Sequence, residues 1–285
     1  MKPIIENVRF ISSALLEVIS SLFHMFKVDE NDRDYLRFLW FSDDSLDQVI
    51  EYRMTVHLFG AKSSPGCANF GLQYLANIQH NPNDTQSVKA KQFLQNNLYV
   101  DDGLLSGDNI ADVIEITKHA RDMCSKGNIR LHKFVSNSKA VLNAIPDSER
   151  SENLKALDLY SSTLPTERAL GVQWCTETDT FKFSIKADKN VERTPTRRKI
   201  LSKVASVFDP LGFLSPFILQ GKQILQDICS SGVHWDDPLS QTLVNRWNTW
   251  EASLTQLDQI SIPRCLFPAD FGKVAYKEIH HFCDA

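Results

Sequence analysis

"LYVDDGLLSG", Leu98 to Gly107, sets two adjacent carboxylates, Asp101 and Asp102, between two short apolar runs. Two readings are open. Asp-Gly between apolar strands is a favoured hairpin turn. On that reading Leu98–Val100 and Leu104–Ser106 pair antiparallel, with both aspartates at the turn. The other reading is a metal site on the same hairpin. Carboxylates ~4 Å apart repel by roughly 4 kcal/mol at an effective dielectric of 20. Solvation at a hairpin tip relieves that repulsion, and a divalent cation relieves it more strongly. Hard oxygen ligands suit Mg²⁺ or Mn²⁺, with one or two carboxylates sharing the ion with substrate phosphates. Adjacent aspartates alone are a cheap signal, since Asp43–Asp44 and Asp236–Asp237 also occur.

The surrounding chain has 285 residues, 42% of them hydrophobic, which is enough for one large core or two smaller ones. A net charge of -4 excludes a chain-wide basic nucleic-acid binder, so any anion-binding surface must be local. The six cysteines are scattered with no CxxC, which argues against a zinc ribbon or a redox pair. Scattered cysteines suit a reducing compartment, so a cytoplasmic or nuclear location is expected. No secretion signal is read. The run "FISSALLEVISSLFHMF" (Phe10–Phe26) is interrupted by Glu17 and falls short of a membrane span. It reads as a core helix or strand.

The periodicity predicts an α+β fold. "YLRFLWF" suits a strand, and "DTQSVKAKQFLQNN" a helix capped by Asp84. "DNIADVIEITKHARDMCSKGN" reads as a helix with Asp108 at its N-cap and Gly127 as its stop. "IRLHKFVSN" alternates like a strand, and "ALGVQWCTETDTFKFSIKA" reads as a hairpin turning near Thr178 and Asp179. Three helices are predicted beyond residue 189, the first from Pro195 to about Pro210–Gly212. A mixed part, about 1–188, therefore precedes a mostly helical part.

Tyr99-Val100-Asp101-Asp102 matches the YxDD signature of reverse transcriptases. Other blocks stand in the order found in Pao/BEL LTR retrotransposon polyproteins. They are "FHMFKVDENDRDYLRFLWF" from Phe23, "EYRMTVHLFGAKSSPGCANFGLQ" from Glu51, "IRLHKFVSNSKAVLNAI" from Ile129, "LGVQWCTETDTFKFSI" from Leu170, "TRRKILSKVASVFDPLGFLSPF" from Thr196 and the final "FCDA". The chain thus resembles that family from about Phe23 onward.

The resemblance implies a partial fingers and palm over 1–188, with an antiparallel sheet and packed helices. A thumb- or connection-like helical region over 189–270 and the start of an RNase H domain at 271–285 would follow. It implies an RNA-directed DNA polymerase that extends a primer on an RNA or DNA template with dNTPs, using Mg²⁺ or Mn²⁺ held by Asp101 and Asp102. Phe23 resembles the aromatic residue beneath the incoming sugar, or else packs in the core. Gly60, Ser64 and Pro65 resemble the block supporting the template and the nascent base pair, or are turn formers. Lys133 is similar to a basic residue near the incoming phosphates, or is an exposed strand lysine. Leu170–Trp174 resembles the primer grip, which would bring Trp174 to nucleic acid, or is an ordinary amphipathic hairpin. Arg193, Arg197, Arg198, Lys199 and Lys203 form the clearest basic cluster, read as phosphate contacts or as a solvated helix face. Asp284 resembles the first metal-binding aspartate of an RNase H domain. With one residue after it, no RNase H activity is expected.

One position departs from the family pattern. A third catalytic aspartate belongs five residues before the sugar-contacting aromatic, and that position is Val18. Glu17 beside it points to the opposite face if the segment is a strand. Two metals on three carboxylates are therefore short of one ligand, and most of the fingers is missing. The expectation is an inactive reverse-transcriptase fragment, the alternative a nucleic-acid-binding remnant with no enzymatic role. Peptidase activity is excluded, because no D-[ST]-G loop occurs and the middle residue of "DDG" is not a hydroxyl.

Overall fold

The computed structural model describes residues 13–265, apart from 20, 108, 156, 158, 160–161, 170–171 and 184–194, together with 276 and 278. The fold is α+β. The apolar run before Phe26 supplies β1 (Ser13–Ile19) and a short 3-10 helix, Leu22–Met25. β1 is an inner strand of a four-stranded sheet ordered β4-β5-β1-β6, with β4 Leu98–Tyr99, β5 Asp102–Gly107 and β6 Leu131–Ser136. All its pairings are antiparallel.

Helices α1 (Ser64–Gln79), α2 (Thr85–Asn96) and α3 (Ile110–Lys126) supply a core with Leu15, Ile19, Leu105 and Leu131 of that sheet. Asp84 caps α2 as predicted, its side chain accepting from the Gln86 N–H. α3 is capped by Asn109 rather than Asp108, which lies outside the described residues; the Asn109 side chain accepts from the Ala111 N–H. α1 has no counterpart in the sequence reading. Gly71 lets it approach the residue that ends the 3-10 helix closely, because a Cβ there would collide with the Phe26 ring.

Short helices α4 (Lys139–Asn143) and α5 (Glu152–Lys155) lead to a second antiparallel sheet, ordered β10-β9-β8-β7. Its strands are β7 Thr166–Ala169, β8 Val172–Cys175, β9 Thr180–Lys182 and β10 Ser261–Pro263. Trp174 and Phe181 of this sheet share a core with Leu104 and Val135 of the first. The C-terminal helices α6 (Arg197–Ser206), α7 (Ser215–Ser230) and α8 (Gln241–Ser253) build a third core around Trp247 and Trp250.

"FDPLGFLSP" joins the last two parts. The Asp209 carboxylate accepts from the Phe213 and Leu214 N–H groups at 3.0 and 2.7 Å, and Gly212 supplies a φ of 80°. The turn throws the Phe213 ring between Phe181 and Phe183, 6.4 Å from each. α6 therefore stops at Ser206, short of the predicted end. Strands β2 (Arg37–Phe41) and β3 (Val49–Arg53) form a separate two-stranded arm.

Candidate active site

β5 is pinned to β1 over six residues, from Ser13 opposite Gly107 to Val18 opposite Asp102. Tyr99 lies opposite Asp102 on one edge strand, and His132 opposite Val18 on the other. Tyr99, Asp102, Val18 and His132 thus form one row across four strands. Directly opposed residues share a face. One row further in, Leu104 and Val135 are buried under the second sheet. Asp102, Val18 and His132 are only half-buried, so the row marks where that cover ends.

The expected hairpin is present but its turn is shifted. Only Val100 and Asp101 lie between the strands; Asp102 belongs to β5 and Gly103 pairs with Leu98. The reason is parity. Leu105 must face the helices while Leu104 faces the second sheet, and a one-residue slip would reverse both. Asp-Gly is consequently strand and not turn. The Ile19 N–H donates to the Asp101 carbonyl at 2.8 Å, which ties the turn to the end of β1. Val100 has a φ of 58°. Positive φ at the first of two turn residues is the II′ pattern that glycine normally serves. A valine there stores roughly 1–2 kcal/mol of strain. Its side chain packs on the first core, which offsets part of that cost.

Burial, and then the neighbouring Asp101, push the Asp102 carboxyl up to about 6. Among the described residues neither carboxylate has a hydrogen-bond or ion-pair partner. Their lone pairs are therefore open to a hard cation. The donor set fits one Mg²⁺ completed by water or phosphate oxygens. It does not fit two ions, because no cluster of three or more ligating side chains occurs among the described residues, and Val18 offers no oxygen.

The far end of the row is also strained. The β1–β6 register shifts between Leu16 and Val18, so Lys133 and Phe134 together oppose Glu17. This is a β-bulge, and Lys133 carries it with a φ of 55°. Bulges re-aim side chains beside active sites. Phe134 turns into the core and Lys133 into solvent. Burial, followed by Lys133 and Arg130, holds the His132 imidazole below its ordinary range. It is therefore neutral near pH 7. Sequence reasoning passed over His132, and only the row register singles it out.

The other expected site residues scatter. Phe23 is 5% exposed and belongs to the first core. The neighbouring Phe59 ring meets it edge-on at 4.8 Å and is itself 62% exposed. Gly60 has a φ of 86° and open space around it. Ser64 is fully buried at the start of α1, its Oγ 3.4 Å from His57 Nδ1, and Pro65 sits in the first helical turn.

Trp174 is 2% exposed and its Nε1 donates to Asp179. It is a core residue with no face for a base, so its expected contact with nucleic acid is corrected. Arg264, which sequence reasoning missed, is 1% exposed and donates to both oxygens of Asp179 at 2.6 and 2.7 Å.

The basic cluster is largely engaged within the chain. Arg197 lies over the Trp235 ring at 4.1 Å. Arg198 forms a two-pronged ion pair with Asp236, 2.9 Å at each contact. Lys199 and Lys203 also have internal interactions. Arg193, Leu170 and Asp284 lie outside the described residues. No described helix is long and apolar enough to cross a membrane.

Residues 196–285 match the Pao retrotransposon-like RNaseH-like domain. The match supports a Pao retrotransposon origin for the chain. It begins well before residue 271, where the RNase H start was expected, and takes in α6, α7 and α8. It does not reach the carboxylate turn. No curated protein matches the chain.

Proposed function

We propose that the chain is a Pao-type reverse-transcriptase palm remnant, a nucleotidyl-transfer site left with two of its three carboxylates and unable to extend a primer. One observation carries this reading. Val18, where the third carboxylate belongs, lies directly opposite Asp102 on the central strand. On this reading the pairing that would bring a third ligand to Asp102 is present, and a valine stands in its place. Asp101 and Asp102 would hold one Mg²⁺ or Mn²⁺. When bound, such an ion lowers the pKa of an attacking hydroxyl and offsets charge on a phosphate. The exposed Lys133, at the bulge beside the other end of the row, would meet phosphates. Template, primer and dNTP would be the natural partners.

The nucleic-acid-binding alternative leans on the basic helix α6, and it loses support because Arg197 and Arg198 dock that helix on Trp235 and Asp236. A primer-extension assay with either metal is expected to give no product. Lost charge stabilisation of several kcal/mol suppresses the rate about tenfold per 1.36 kcal/mol. Calorimetric titration with Mn²⁺ is expected to show one site, abolished in Asp102→Asn, and a second in Val18→Asp. Incorporation of dNTPs by the unaltered chain, lost in Asp101→Asn, would overturn the reading.

A further inference from the structure

The β2–β3 arm has two unlike faces. Its register places Phe38 opposite Tyr52 and Trp40 opposite Ile50 on one face. That face has no charge, Trp40 is 63% exposed, and the Phe38 and Tyr52 rings stack at 5.7 Å. The other face carries the ion pairs of Arg37 with Glu51 and Asp34, and of Arg53 with Asp34, beside Leu39 and Val49, which are 68% and 54% exposed. The charges there make the first face the easier one to cover, and a lone two-stranded sheet is marginal in water. The arm joins the body at the Lys27–Val56 bridge and the Val28 N–H to Thr55 carbonyl bond.

A second apolar face lies on α1, whose 16 residues include no charged side chain. Phe70, Tyr74 and Ile78 are 70%, 58% and 55% exposed at four-residue spacing, and the two rings stack at 6.4 Å.

Charge decides what each face takes. Residues 29–53 carry eight acids against three arginines. That repels nucleic acid and a second arm alike. The α1 face carries no charge and is flanked by lysines. Exposed Lys62 precedes the first turn, and Lys91 Nζ lies 3.4 Å from His80 Nε2 at the last. The lengths also agree. From Cys67 to Ile78 α1 rises about 16 Å, and β2 spans about 14 Å. We propose that the apolar face of the arm packs on the α1 stripe of a second copy of this chain, head to tail, with the acidic rim of the arm against Lys62 and Lys91.

Seven half-exposed side chains at about 100 Å² each remove roughly 700 Å² in total, which is the size of a weak contact. A head-to-tail contact leaves one face of each kind free at the ends, so growth continues past the dimer unless a ring closes. The inference does not depend on the catalytic reading.

Sedimentation velocity of the full chain, up to on the order of 100 µM, tests it. The weight-average mass is expected to rise with concentration above the 32.4 kDa monomer and beyond the dimer. Trp40→Glu and Tyr74→Glu, each with an unchanged far-ultraviolet circular dichroism spectrum, are expected to stay monomeric alone. Mixed one to one, each supplies the face the other lacks, and the mass should double and go no further. A monomeric wild type across the series, or a monomeric mixture, would overturn the proposal. So would self-association of Tyr74→Glu with loss only in Trp40→Glu, which would mean arm-to-arm contact.

Discussion

Two hairpin turns in this chain each combine one left-handed residue with an aspartate, and they treat the carboxylate in opposite ways. At the β8–β9 turn Asp179 itself has a φ of 53°. Its oxygens accept from Trp174 Nε1 and from two nitrogens of Arg264, and its carbonyl accepts from the Arg264 N–H at 2.9 Å. At the β4–β5 turn the strained residue is Val100, and the half-buried Asp102 nearby has no partner among the described residues. One turn spends its strain on a closed network that fixes β10 to its sheet. The other leaves two carboxylates without a partner among the described residues. A satisfied carboxylate is architecture, whereas the unsatisfied pair beside a strained residue is what the proposed metal reading rests on.

The largest way to break this comparison is at Asp179. Asp179→Ala leaves Arg264 buried with no counter-charge, and stranding one member of a buried pair costs about 3–5 kcal/mol. Urea unfolding should show a loss of that size. A loss below about 1 kcal/mol would mean that the Arg264 network is not what holds the second sheet. Asp102→Asn should do the opposite. The Asp102 carboxyl holds its proton more tightly folded than unfolded, since its value is up to about 6 against an ordinary 3.8. The folded chain therefore loses stability as pH rises from about 4 to about 6 and stays at the lower level above. After allowance for solvent at this half-buried site, the loss is on the order of 1–2 kcal/mol. Asp102→Asn should remove that slope and match the wild type at pH 4, where both side chains are neutral. Mg²⁺ at ten times its Kd should restore about 1.4 kcal/mol to the wild type at pH 8 and nothing to the variant. Melting curves at the two pH values read all of this.

How far the sequence discloses these features follows from their range. The Asp84 cap and the β8–β9 and β4–β5 hairpins are local, and all three form. The β4–β5 turn is displaced because its register is decided by β1, more than 80 residues upstream, and not by Asp-Gly. Arg264 meets Asp179 across 85 residues, and no spacing rule reaches that far. Helix α1 hides because a helix without charges shows little polar alternation. The Arg197–Arg198 pair reads as a free basic face in sequence because its partners Trp235 and Asp236 come from the loop between α7 and α8. Val18 is the informative case. Sequence placed it beside the acidic pair by family resemblance, and the strand register places it there independently.

The smallest expected effect concerns the bulge that ends the Asp102 row. Lys133 adopts a φ of 55° with its side chain in solvent, so a substitution there changes backbone strain and little packing. A non-glycine residue in the left-handed region costs roughly 1–2 kcal/mol, and glycine recovers this while giving back about 0.5–1 kcal/mol of unfolded-state entropy. Lys133→Gly should therefore raise stability by about 0.5–1 kcal/mol. The charge is removed with it, and Lys133 is among the groups that hold the His132 imidazole low. Proton NMR titration should consequently show His132 protonating at a higher pH in the variant. Lys133→Ala separates the two effects, since it shares the loss of charge and keeps the strain. If the glycine variant is less stable than the alanine variant by about 0.5–1 kcal/mol, the entropy cost alone, the bulge carries no strain, and the contrast between the two turns would rest on Val100 alone.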